Sequence, residues 1–417
     1  MKKWYSLIDK IYRKESLELA FKRVKRNNGA PGIDGETVWD FADKIELNIE
    51  FLHERLKTNG YVPSPARRVE IEKPDGGTRL LGIPTVKDRV VQQAIVNIIE
   101  PIFDPTFHPS SYGYRPKHSQ HQAVAKAERF MNKYGLEHVV DMDLSKCFDT
   151  LDHEIIMEAV SEQISDGRVL DLIKKFLKSG VMHRDNFCQI EVGSPQGGIS
   201  PILANLFLHY AFDDFMVKEF SLIPWARYAD DGVTHCVSIK QVKYLLRRLQ
   251  ERFAMFGLEL NLDKTRIVYC KDKDRKGNHE HTSFDFLGYT FRPRQAKDRY
   301  GKFSTNFLPA MGEKAKKAIR KEIRGWKLQL KSDKSLNDVA NMFNKQIQGW
   351  INYYTYFYKS EFYDVLRYIN NRLVEWVRRK YKKRKARRRA EHWLGEIAKR
   401  DRKRFAHWKL GILPAAG

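Results

Sequence analysis

Two adjacent carboxylates in Tyr228-Ala229-Asp230-Asp231 stand between residues 223–227 and 232–239, both of which pattern as β-strands. Like charges at a hairpin tip repel, and they are best tolerated where cations sit against them. In Val139-Val140-Asp141-Met142-Asp143-Leu144 an apolar run is broken by carboxylates two apart, which strand alternation places on one face. Acids in an otherwise buried strand need compensation, and divalent cations are a usual source. The chemistry that uses such a set is nucleotidyl transfer with two metals about 3.5–4 Å apart, one activating the attacking oxygen and one steadying the leaving oxygen. Mg²⁺ suits all-oxygen ligands and takes one or two protein carboxylates plus waters and substrate phosphates. Asp143, Asp230 and Asp231 are therefore assigned as the catalytic, metal-binding set, with two Mg²⁺ ions. Asp141 shares their face and reads either as a further ligand or as an ion-paired neighbour.

The charge balance names the class of partner. The 417 residues carry 76 Lys and Arg against 52 Asp and Glu, net +24, the footprint of a nucleic-acid binder. The run from Arg378 to Arg389 is nearly all one sign, so it self-repels unless phosphates neutralise it. Lys382, Lys383, Arg384 and Lys385 are its assigned RNA contacts. A solvated tail is the alternative, opposed by the neighbouring Trp376, Trp393 and Trp408. No apolar stretch is long enough to span a bilayer, and Met1-Lys2-Lys3-Trp4-Tyr5 is not a signal-peptide core. The expectation is a cytoplasmic protein without membrane contact. Cys147, Cys188, Cys236 and Cys270 are scattered, which implies neither a zinc site nor a disulfide framework, but reduced packing residues.

Several elements must position this chemistry. Residues 67–73 and 78–84 flank Pro74-Asp75-Gly76-Gly77, a hairpin signal, and a helix over 86–99 is closed by Pro101. Earlier, the loop from Asn27 to Gly35 breaks any helix and offers glycines for close approach to a nucleic-acid backbone. Helices are expected over 119–134, 153–160, 168–179, 202–215 and 242–256, and strands over 258–262, 264–269 and 284–291. The stretch Gly193-Ser194-Pro195-Gln196-Gly197-Gly198 is too rich in glycine and proline for regular structure. Beyond residue 305 helical spacing takes over, with 314–330, 336–358 and 362–385 forming a separate module whose aromatics, Trp350, Tyr353, Tyr354, Tyr356, Phe357 and Tyr358, read as core, stacking on bases being the alternative for some of them.

With Asp143, the 193–201 loop, the Asp230-Asp231 hairpin and Phe286-Leu287-Gly288-Tyr289 in this order, the sequence resembles reverse transcriptases, specifically those encoded by bacterial group II introns. The Gly29-to-Gly35 loop, residues 79–89 and Ser111-Tyr112-Gly113-Tyr114-Arg115-Pro116 extend the likeness. So does Gln348-Gly349-Trp350-Ile351-Asn352-Tyr353-Tyr354, similar to the family's thumb or maturase pattern. The resemblance implies that Lys73 and Arg79, with Arg67 beside them, clamp the triphosphate of the incoming nucleotide. It places Phe148 against the sugar, where a ring excludes a 2′-hydroxyl, although family members commonly pair two aromatics and this chain has Cys147-Phe148. Gln196 would touch nucleotide or template. Lys264 would stand near the phosphates, or is an ordinary surface lysine. Phe286, Leu287 and Gly288 would form the primer grip, or are plain core.

The implied fold is α+β: a right hand with an N-terminal extension (1–60), fingers and palm with a small antiparallel sheet (61–304), a helical thumb or maturase domain (305–390) and a basic C-terminal segment (391–417). The implied activity is RNA-directed DNA polymerisation. Its partners would be an RNA template, a DNA or RNA primer, deoxynucleoside triphosphates and a group II intron RNA. Relatives often add a zinc-bearing nuclease after the thumb. The cysteines for one do not follow here, so target cleavage is expected to come from elsewhere. Two rival readings share these features: a non-catalytic RNA-binding maturase, disfavoured by the intact aspartates, and a domesticated polymerase in DNA repair or phage defence.

Overall fold

The computed structural model describes residues 3–72, 77–183, 186–189, 191–193, 197–297 and 301–414. They form two compact units, Met1–Ala127 with His138–Ile267, and Glu128–Glu137 with Val268–Gly417.

In the first unit, amphipathic spacing builds the helices. Lys14–Asn27 (α1) buries Leu17, Ala20, Phe21 and Val24, and Ile45–Lys57 (α2) buries Ile49, Leu52 and Leu56, all in one core. Val86–Phe103 (α3) begins where the Thr85 hydroxyl accepts from the Asp88 N–H at 3.1 Å. It runs past the stop expected at residue 99, with Pro101 inside its last turn. A proline there removes one helical bond near an end whose carbonyls already lack partners, so the helix survives it. One buried carboxylate, Asp166, accepts from the N–H groups of Leu7 (2.7 Å) and Ile8 (2.9 Å) and also caps the helix Gly167–Leu177. That ties the N-terminal extension to this unit.

Ala66–Glu72 (β1) and Thr78–Ile83 (β2) pair antiparallel, Arg67 opposite Ile83 and Glu72 opposite Thr78. The tip of this hairpin lies outside the described residues. His138–Met142 (β3), Trp225–Tyr228 (β4) and Asp231–Cys236 (β5) form an antiparallel sheet with β5 between the other two. Ser200–Leu208 (α4) is buried almost throughout and runs into a π-helical turn, His209–Asp213. The strand expected over 258–262 reduces to a single bridge, Leu260 with Leu144.

In the second unit, the strand expected over 284–291 is instead a hairpin, Phe284–Phe286 (β6) and Tyr289–Lys297 (β7), turned by Leu287 and Gly288. Both turn residues have positive φ, 52° and 78°, as a two-residue type I′ loop demands. Helix does not begin at 305, because Phe303–Met311 (β8) pairs with β7 along its whole length. Then follow Glu313–Gly325 (α5), Leu336–Tyr354 (α6), Tyr363–Lys380 (α7) and Arg387–Arg400 (α8). The residues after 391 join the core of this unit: Leu394, Ala398, Phe405 and Trp408 are buried with Leu366, Leu373 and Trp376. Cys147, Cys236 and Cys270 are buried as expected, whereas Cys188 is exposed at the end of a short strand. Among the described residues no helix is long and apolar enough to cross a membrane.

Candidate active site

The register of the central sheet places the acids. Strand β5 pairs with β3 from Cys236 opposite His138 to Gly232 opposite Met142, and Asp231 and Asp143 are the residues immediately beyond that last pair. On the other side, Tyr228 pairs with Asp231, leaving Ala229 and Asp230 as a two-residue turn. Asp230 also lies close to the loop after Asp143, since its charge, after burial, is what pushes the Cys147 thiol up to about 12. The strand tips thus bring the three aspartates to one end of the sheet.

The turn carries strain and is braced. Ala229 has φ +57°, a conformation that costs a residue with a side chain about 1–2 kcal/mol. Arg227, 2% exposed, donates from Nη1 to the Ala229 carbonyl at 3.0 Å and to Asn205 Oδ1 at 2.9 Å. Its Nε and Nη2 form a fork on Asp213, at 2.8 and 2.7 Å. Burial works to raise the Asp213 pKa, but Arg227 and His209 outweigh it and hold the carboxyl below its ordinary range. Removing one partner of such a buried pair costs about 3–5 kcal/mol. Asn205 in turn donates to the Gly113 carbonyl at 2.9 Å. A Cβ on Gly113 would meet the Ala229 nitrogen at 2.2 Å, so only glycine allows these two backbones to pass. None of this bracing was foreseen; the one local hint was an arginine inside an apolar strand just before the acids.

Lys264 stands at the site's edge. Its turn is pinned to the acidic strand by the Asn261 N–H, which donates to the Asp143 carbonyl at 2.8 Å, and its Nζ is 4.0 Å from Asp143 Oδ2. At 58% side-chain exposure that contact is weak in itself. Phe148 sits in a 3₁₀ turn and is 8% exposed within the core of the first unit.

Arg67 is engaged elsewhere: Nε and Nη2 donate to the Pro31 carbonyl at 3.1 and 2.8 Å. Arg89 likewise donates to the Ala30 carbonyl at 3.0 Å, and a Cβ at Gly32 would meet Thr85 Cα at 2.6 Å. The Asn27-to-Gly35 loop therefore spends its close approaches, at least at Gly32, on its own chain. Lys73 and Gln196 fall outside the described residues, and for Arg79 only the backbone, in β2, is described.

The grip residues and the aromatic motif of the helical module meet within the second unit. The Tyr353 hydroxyl donates to the Leu287 carbonyl at 2.7 Å, and the Tyr289 hydroxyl donates to the Tyr353 carbonyl. Phe286 is buried, while Leu287 and Gly288 make the turn. Trp326 stacks with Phe343 and with Trp350, and Trp350 and Tyr354 pack partly buried against the core as expected, whereas Tyr356, expected in the same core, is 63% exposed. In the basic run, Lys382, Lys383 and Lys385 are exposed, but Arg384 lies over the Trp393 ring at 4.8 Å and Lys380 caps the Ser332 and Lys334 carbonyls.

Among the described residues no three His, Cys, Asp or Glu side chains are gathered tightly enough to hold an ion unaided. That is compatible with Mg²⁺, which draws part of its shell from water and substrate. The donor set at the strand tips is carboxylate oxygen throughout, so it fits a hard divalent cation.

The chain matches the reverse transcriptase (RNA-dependent DNA polymerase) family over residues 71–291, and the group II intron maturase-specific domain over 316–393. It is 32% identical over 337 residues to Protein YkfC of Escherichia coli (strain K12), covering 71% of this chain and 84% of that protein. To the group II intron-encoded protein LtrA of Lactococcus lactis subsp. cremoris it is 32% identical over 265 residues, 62% of this chain but only 43% of LtrA. Among solved structures, telomerase from Candida albicans in complex with a telomeric RNA fragment aligns over 90% of this chain and 68% of that one, at 12% identity and a TM-score of 0.45.

Proposed function

Since this chain belongs to the reverse transcriptases and carries the maturase-specific domain of group II introns, we propose that Asp143, Asp230 and Asp231 are the catalytic centre of its RNA-directed DNA polymerase. The observation that supports this reading is the register, which ends with Gly232 opposite Met142 and so leaves Asp231 and Asp143 next to that last pair, beside the Asp230 turn. Family membership implies dependence on a divalent metal; we assign Mg²⁺, as two ions, held by these carboxylates. When bound, such ions supply positive charge that makes a primer 3′-hydroxyl a better nucleophile and offsets charge on the departing pyrophosphate.

The chain's own groups do the positioning. Asp143 and Asp231 each follow directly on the last paired rung of two neighbouring strands, so the sheet fixes where their backbones stand. Lys264, close to Asp143, is placed to meet phosphate oxygens, and proton donation to pyrophosphate would fall to its ammonium. Lys73 and Arg79 are assigned to the triphosphate and Gln196 to nucleotide or template. Arg67 acts chiefly by holding the Pro31 loop, with its remaining donors available to a phosphate. Phe148 screens the sugar, and the Leu287-Gly288 turn bears on the primer. An RNA template is the substrate the family domains imply, and intron RNA is the further partner we assign to the basic helical module.

Asp230→Asn and Asp231→Asn each keep the turn's size and remove a metal-binding charge. Primer extension on an RNA template should fall by at least about 10³-fold in either variant, with template affinity nearly unchanged. Extension at the wild-type rate would end the assignment.

A further inference from the structure

The catalytic turn has a residue of the wrong type for its shape. A two-residue hairpin loop whose first residue has positive φ normally takes glycine there, and this chain has Ala229 at +57°. Something outside the turn must hold it. Arg227 bonds the Ala229 carbonyl, and it is itself held on several sides: forked onto fully buried Asp213, and bonded to Asn205, which reaches the Gly113 carbonyl. Asp213 ends a π-helical turn, a local irregularity that often marks a functional site, and His209, at the start of the same turn, lies 3.6 Å from it.

Resting on the reading of Asp230 and Asp231 as metal-binding residues, we infer that Arg227, backed by Asp213 and Asn205, is the positioning residue of the catalytic turn. It touches neither substrate nor metal. It holds the peptide between Ala229 and Asp230 in the orientation that lets Asp230 and Asp231 serve the same centre. Free of that bond, Ala229 relaxes to negative φ and the following carboxylate is displaced.

The test is a pair of substitutions in the full-length protein. Arg227→Lys keeps a charge for Asp213 but cannot bond the fork, Asn205 and the turn carbonyl together. Its turnover should drop by about 10²-fold, the scale of an ångström's misplacement, while the Mg²⁺ concentration for half-maximal extension rises several-fold and template–primer affinity stays. Ala229→Gly removes the reason the bond is needed, so in the Arg227→Lys background it should restore about fivefold or more of the lost turnover. A merely structural arginine would not behave this way, because glycine in a turn cannot repair a destabilised core. If Arg227→Lys does not fold, Asn205→Ala, which strips one partner from the same guanidinium, carries the comparison. A folded variant whose Mg²⁺ requirement is unmoved, or whose defect glycine does not relieve, overturns the inference. Wild-type turnover in Asp230→Asn would instead bring down the reading of the site beneath it.

Discussion

At Phe148 the proposed role asks a single ring to serve both the core and the substrate. It is 8% exposed, and Cys147 beside it is buried too, so little of the residue is available to a sugar. A small contact suffices, because excluding a 2′-hydroxyl requires contact and not hydrogen bonds. Phe148→Val should therefore raise ribonucleotide over deoxynucleotide incorporation by about tenfold, the order a modest change of pocket volume brings. The same change opens a cavity and should cost about 2–4 kcal/mol, so discrimination has to be read by single-nucleotide incorporation well below the lowered melting midpoint. Unaltered discrimination in the folded variant would leave Phe148 a packing residue only. Lys264 and Arg67 make the contrast: both are cations assigned to the nucleotide's phosphates, yet one is mostly solvated and the other already holds a carbonyl. Proximity in sequence to a motif does not say how many of an arginine's donors remain.

Elements built from local pattern were legible before the fold was known, and those set by distant partners were not. The Asp230-Asp231 hairpin and the β1–β2 pair announce themselves in a dozen residues, since alternation and turn chemistry are local. By contrast Leu287 reads as strand interior, and its left-handed turn depends on Gly288 and on a bond from Tyr353, 66 residues away. The brace on Ala229 likewise joins 113, 205, 213 and 227, which no window spans. The C-terminal segment is a third case: read as a basic appendage, it is held by Asn370 of α7, whose Oδ1 accepts from Trp408 Nε1 at 2.9 Å and from His407 Nε2 at 2.7 Å, and whose Nδ2 donates to the Ile412 carbonyl at 3.0 Å. His407 Nδ1 is buried without a partner, and burial pushes that imidazole down to about 3. Its folded pKa lies below its ordinary value, so the unfolded chain binds the proton first and stability falls as pH drops below about 6.5. Between pH 7 and pH 5 this one group should remove about 2 kcal/mol. His407→Gln keeps a donor for Asn370 and cannot titrate; in denaturant melts of the second unit's fluorescence it should lose about that much less on acidification. Identical pH profiles for the two proteins would rule the histidine out.

Over the whole molecule the surplus of +24 charges asks for a counterpart, and the two units distribute it differently. In the first unit many cations are committed: Arg227 to Asp213, Arg115 to Asp104, Arg67 and Arg89 to loop carbonyls. In the second, the run after Arg378 mixes committed and exposed groups. Arg378 bonds the Lys385 carbonyl, Lys380 caps a loop, Arg384 lies over Trp393 and Arg387 pairs with Glu391, so the run is folded and cannot be a solvated tail. Lys382, Lys383 and Lys385 are left on its surface, a compact set of ammonium groups on a fixed frame. A fixed frame loses less freedom on meeting phosphates than a disordered tail would, so each contact should register in full. Every phosphate neutralised releases counterions and adds about 0.7 to 0.9 to the slope of log affinity against log salt. Changing the three lysines together to Gln, with Arg384 retained so that its packing on Trp393 survives, should flatten the slope for RNA binding by roughly two units. A slope unchanged from 50 to 300 mM salt would mean that these lysines face water in the complex too, and the attraction for RNA must then come from other cations of the protein.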